Sequence, residues 1–214
     1  DLLLISKVNI LSKPLQLVFF FASYIVTVLV ASLLFYYVPV IALITFIVFS
    51  AFHFGEQHWH DSSCFGIRLN RLLFISYGLS VLFLLFALNS EATLEIIKAL
   101  TGITFLTNWF VWIFIANGML WVTLALLMIY KKQLSWKQLV FEMFMLLVFA
   151  IVFKTATLIW AFAIYFIFWH SIPSIFEQQS FLYGEVSTRT FIKYVKSSFL
   201  IWLISTGSIV FLYF

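Results

Sequence analysis

The stretch "PVIALITFIVFSAFHFGEQ", Pro39–Gln57, decides how this chain is read. Its first fourteen residues are almost wholly apolar, and the run is close to the roughly 20 residues a helix needs to cross a hydrocarbon layer about 30 Å thick. It then turns polar within one helical turn, at His53, Glu56 and Gln57, and continues into "HWHDSS" (His58–Ser63). Three of the chain's four histidines thus sit at one end of one apolar run.

The surroundings decide between a buried helix and a spanning one. The chain is 64% hydrophobic and 9% charged, with 28 Phe among 214 residues and a mean hydropathy of +1.13. One soluble core cannot hide so much apolar surface, so the lipid bilayer must act as solvent. The net charge of +4 is then no sign of a nucleic-acid partner, and none is expected; the placement of Lys and Arg matters more than their sum. Cys64 is alone, which excludes an internal disulfide and a cysteine-rich metal site.

Working outward, seven stretches are long and apolar enough, or nearly so, to span: Leu15–Tyr37, Pro39–Gln57, Leu72–Leu88, Phe105–Tyr130, Trp136–Phe153, Thr155–Phe176 and Phe191–Phe214. "YYVP" at 36–39 reads as a tight hairpin turn with Pro39 at a first helical position. "NSEATLEIIKALTG" (89–102) places Leu94, Ile97 and Leu100 between charges and reads as a short amphipathic surface helix. The prediction is an all-α transmembrane bundle of about seven spans, one integral-membrane domain over residues 1–214. The start at Asp1, directly into "DLLLISK", reads as a piece whose beginning, including at least one upstream helix, is missing.

With the sides alternating, Lys7, Lys13, Arg68, Arg71, Lys131, Lys132, Lys137, Arg189, Lys193 and Lys196 fall together, and only Lys98 and Lys154 fall opposite. That asymmetry makes the first side cytoplasmic and implies the cell (inner) membrane. His53 then lies fourteen residues beyond Pro39, and His170 sixteen beyond Lys154, which is roughly 21 Å and 24 Å of helical rise from the outer side. Two helices far apart in sequence deliver imidazole to one layer in the cytoplasmic third. Ionisable groups at that depth are costly and mark functional sites, and neutral imidazole is a common ligand of iron, zinc and copper.

The neighbours add detail. Gly55 permits close approach of another helix. Glu56 and Gln57, one turn from His53, are each placed to orient its ring. His58 and His60 read either as interfacial polar residues or as further ligands. Pro173 in "FWHSIPSIFEQQ" either kinks the helix after His170 or ends it. Glu142, well inside the membrane edge, either accepts a ring N–H from a ligand histidine or bonds, protonated, to a neighbouring helix. Tyr165 and Trp169 are among the aromatics that pack, face lipid or line a pocket for a flat apolar ligand.

"FHFGEQHW" and "FWHSIPS" in a chain of this kind resemble the Brp/Blh family of bacteriorhodopsin-related β-carotene 15,15′-dioxygenases, and the resemblance runs over essentially the whole chain. "DLLLISK" looks like the continuation of that family's H-G-x-x-D motif, with Asp1 as its last residue and the first ligand histidine upstream. The resemblance implies cleavage of β-carotene by O₂ into two retinals at an Fe(II) held by histidines. It makes His53 and His170 catalytic iron ligands, with His58 a further candidate; on that reading Glu142 or Glu56 is the orienting carboxylate, and Tyr165 and Trp169 are expected to line the path of the polyene. It also implies a functional link to a retinal-binding rhodopsin. Where the family pattern often has another histidine, four residues after His170, this chain has Ser174.

Other readings follow from the same residues. A diiron desaturase would need about eight histidines in clustered boxes. A haem protein could use His53 and His170 as axial ligands, and a non-catalytic carotenoid- or retinal-binding protein needs no metal. A transporter should show paired repeats, which are lacking, and a rhodopsin needs a mid-membrane lysine in its last helix, whereas none follows Lys196.

Overall fold

The computed structural model describes residues 14–59 and 67–213. Among these, the chain is helical throughout: α1 (Pro14–Tyr37), α2 (Pro39–Trp59), α3 (Ile67–Leu88), α4 (Ser90–Thr101), α5 (Asn108–Tyr130), α6 (Trp136–Thr155), α7 (Leu158–Tyr165), a π-helical turn (Phe166–Ser171), α8 (Ile172–Tyr183) and α9 (Thr188–Tyr213). Five stretches are long and apolar enough to cross a membrane: Pro39–Trp59, Leu69–Leu88, Asn108–Tyr130, Trp136–Thr155 and Leu158–Tyr183. With Phe49, Trp112 and Trp160 all more than 60% exposed, the surface is that of an integral membrane protein rather than of a protein dissolved in water.

Several boundaries move. The turn at 36–39 contracts to one residue, Val38, whose N–H closes α1 on Leu34 and whose carbonyl accepts the first bond of α2 from Ala42; Pro39 has no N–H to lose there. Helix α2 runs two residues past Gln57, to Trp59, and α3 begins at Ile67 rather than Leu72. Phe105 precedes α5 in a loop instead of opening it. The amphipathic segment forms as α4, but its burial centres on Thr93 and Ile97, while Leu100 stays exposed.

The chain divides into two compact units, Val28–His170 and Asp1–Thr27 with Ser171–Phe214. In the first, α3 packs against α2 on one side and α5 on the other and also meets α6. The close approach of α2 and α3 rests on two glycines. A Cβ on Gly55 would collide with the Phe74 backbone, and one on Gly78 with the Ala51 carbonyl, so the backbones meet where a side chain would otherwise hold them apart. Trp59, Tyr77 and Trp121 interlock at this seam, with ring centres 5.4–6.2 Å apart. Asn89, between α3 and α4, donates to the carbonyl of Phe153 at 2.9 Å and ties that end of α3 to α6.

In the second unit α8 packs on α9. Tyr194 donates to Gln178 at 2.7 Å, and Gln178 donates to Ser174 at 3.1 Å.

Candidate functional site

Two polar constellations lie in the unit 28–170, both built on the last two turns of α2. The first is the imidazole pair. His53 on α2 and His170 in the π-turn stand with ring centres 4.9 Å apart and planes crossing at 73°. The convergence expected from helical rise is therefore present. Phe54 and Phe166 flank His170 at 5.5 Å and 4.8 Å, and His53 is the more exposed of the two histidines.

Pro173 explains the local backbone. In a regular α-helix its ring would press on the Trp169 carbonyl, and it brings no N–H to bond there. The chain absorbs this by widening into a π-turn over Phe166–Ser171, a device often found at functional sites. The helix neither ends at Pro173 nor stops before it, and His170 is presented from the widened turn.

His170 is held by Gln57. Its Nδ1 donates to Gln57 Oε1 at 2.7 Å, and Gln57 Nε2 donates to the His170 carbonyl at 3.1 Å. Gln57 thus orients the histidine across from it rather than His53 on its own helix. Among the described residues Glu56 makes no such bond.

The second constellation is a buried network. Glu142 of α6, 2% exposed, accepts at Oε2 from the Tyr77 hydroxyl at 2.6 Å and from His58 Nδ1 at 3.1 Å. Tyr77 also lies 3.4 Å from His58 Nδ1. Glu142 therefore takes a ring N–H from a histidine, and that histidine is His58. The interfacial placement of His58 is corrected here. Because α2 continues to Trp59, His58 points into the bundle with its side chain 8% exposed. Its Nε2 is buried and has no hydrogen-bond partner among the described residues. Tyr165, 2% exposed, stacks over His58 at 6.5 Å and, on its other neighbours, over Trp169 at 6.5 Å and edge-on to Phe149 at 5.0 Å. Tyr165 is thus a core residue beside the histidines.

The two constellations do not merge. Among the described residues no group of three or more His, Cys, Asp or Glu side chains gathers to hold a metal ion. Asp1 and His60 lie outside the described residues, and Ser174 belongs to the other unit, where it accepts from Gln178. Tyr77 carries a bond that the sequence did not single out. Its signal was a phenolic hydroxyl next to Gly78, in the stretch Leu72–Leu88, whose other polar side chains are serines.

The fold and the paired imidazoles define a class: an all-helical integral membrane protein with histidines gathered inside its spans. The family model described as "Beta-carotene 15,15'-dioxygenase" matches residues 1–214, and the chain belongs to that family. No curated protein and no solved structure gives a significant match.

Proposed function

We propose that this protein is a membrane carotenoid oxygenase that cuts the central double bond of β-carotene with O₂ to give two retinals. The observation that carries the reading is the His53–His170 pair, locked by Gln57 and walled by phenylalanines, in a chain of this family. Each carbon of the broken double bond takes one oxygen atom, so O₂ is consumed whole and no acid–base pair is required of the protein.

Fe(II) is the proposed cofactor, with His53 and His170 as two nitrogen ligands. The donor set fits: neutral nitrogen ligands suit iron, and metal–nitrogen bonds of about 2.0–2.1 Å put the ring centres of two neighbouring ligands roughly 4.5–5.3 Å apart, against roughly 6.5 Å for two on opposite faces of a haem. The observed 4.9 Å favours the first arrangement and speaks against axial haem ligation. When bound, the iron would supply the activation of O₂ that no side chain offers.

The protein's own part is positional. Gln57 aims His170. Phe54 and Phe166 pack against the His170 ring, and Trp169, stacked on Tyr165, would stand beside a bound polyene. His58 stands apart, bonded to Glu142 beside Tyr77. Seven spans in one membrane domain, with the pair toward the cytoplasm of the inner membrane, would let β-carotene enter sideways from the bilayer. A rhodopsin that takes up retinal is the natural partner for the product.

Ser174 supports a second reading, a non-catalytic carotenoid- or retinal-binding protein. Where the family pattern often has a histidine, this chain has a hydroxyl already engaged by Gln178. Expression in β-carotene-producing cells separates the two. The oxygenase reading expects retinal, its loss in His53→Ala and His170→Ala, and higher iron affinity or activity in Ser174→His. Binding of carotenoid without any retinal would establish the second reading.

A further inference from the structure

We propose that Gln57 is a positioning residue that fixes the tautomer of His170, so that Nδ1 carries the proton and Nε2 the free lone pair. The argument rests on donor and acceptor chemistry. A backbone carbonyl can only accept, so the Gln57 atom 3.1 Å from the His170 carbonyl must be the NH₂ group. The atom 2.7 Å from His170 Nδ1 is then the amide oxygen, which also can only accept. Nδ1 must donate to it, and a neutral ring with its proton on Nδ1 has none on Nε2. One side chain grips both the ring and the backbone of the same residue, which settles the amide's orientation as well as the ring's. Free imidazole side chains in water prefer the opposite tautomer, so the protein imposes this one.

The π-turn contributes. Pro173 interrupts the regular ladder around His170, and the cross-helix bonds from Gln57 hold the widened turn in a single register. The inference deepens the proposed iron site, because a ligating nitrogen must bear a lone pair and a partner on the other ring nitrogen raises its basicity. Glu142 acts on His58 in the same way, but with a carboxylate in place of an amide.

The test is the protonation state of the His170 ring nitrogens, read by nitrogen NMR on full chain labelled at histidine, stripped of metal, in lipid nanodiscs at about pH 8, well above the ordinary histidine pKa. Assignment uses the signal missing from His170→Asn. The proposal expects the proton on Nδ1 in the unaltered protein. It expects a shift toward Nε2 in Gln57→Leu, and return to Nδ1 in Gln57→Glu, whose carboxylate accepts but cannot reach the carbonyl as a donor. A proton on Nε2 in the unaltered protein overturns it, even if Gln57→Leu fails to fold, and so does an unchanged tautomer in a folded Gln57→Leu. Cobalt(II) titration adds a metal readout: affinity should fall about 10–100-fold in Gln57→Leu and recover in Gln57→Glu. Unchanged cobalt binding in His170→Ala would remove the iron reading while leaving the tautomer result to stand or fall by itself.

Discussion

A buried carboxylate in a membrane bundle survives only if its neighbours replace the water it has lost. Glu142 has two such neighbours on two helices, Tyr77 and His58. The 2.6 Å bond from Tyr77 is short, as expected of a hydrogen bond to a charged acceptor. Tyr77→Phe removes that donor and keeps the ring packed between Trp59 and Trp121. Stability should fall by about 1.5–3 kcal/mol, the usual worth of a hydrogen bond to a charged group, measured by thermal unfolding in detergent. An unchanged melting temperature would show that the Tyr77 hydroxyl contributes nothing to stability. At this scale sequence reasoning reached the pairing of His53 and His170, because helical rise is regular and both runs start at recognisable turns. It missed that Gln57 serves His170, since spacing along one helix reveals neighbours on that helix and nothing across the gap. It also placed His58 too far out, because the polar residues at the end of α2 concealed two further helical residues that turn the imidazole inward.

Among the elements, α2 has the most to do. One side of its last turns carries His53, another carries Phe54 and His58, and Gly55 lets α3 lie directly against it. Gly55 was legible in the sequence as a contact residue because it sits among the histidines; its counterpart Gly78, in a span without an ionisable marker beside it other than Tyr77, was not. Gly78→Ala should push α3 away from the Ala51 carbonyl. Overpacking of this kind costs about 1–3 kcal/mol, often more where the obstacle is backbone. Because the same seam carries Trp59, Tyr77 and Trp121, the variant should lose folded protein on size-exclusion chromatography while the Gly118→Ala control, whose added Cβ meets nothing within 4 Å, does not. A normal yield and melting temperature for Gly78→Ala would show that the two helices can separate freely. The π-turn was half-legible. Pro173 announced a disturbance near His170, but whether the backbone bends, stops or widens depends on what holds the turn, and Gln57 lies more than a hundred residues away.

Across the whole molecule, composition alone dictated a bilayer, and among the described residues five helical stretches of spanning length and character answer to it. The expected sidedness rests on the Lys and Arg distribution, with Lys131 and Lys132 between α5 and α6 and Lys137 in the first turn of α6 among the ten on one side. A cysteine introduced at Lys131, with Cys64 replaced by Ser, should react with an impermeant maleimide only after the cells are opened. Labelling in intact cells would invert the orientation and move the histidine pair to the outer third. The site was legible as a place, the meeting of His53 and His170, but not as a ligand set, because the described residues bring together two imidazoles and no third His, Cys, Asp or Glu beside them. The central claim concerns what that place does, and product analysis tests it most directly. β-Carotene given to the purified protein with Fe(II) and O₂ should disappear with the appearance of two retinals for each molecule consumed, and no longer or shorter apocarotenal should form. Intact β-carotene, or cleavage at a bond other than the central one, would contradict it.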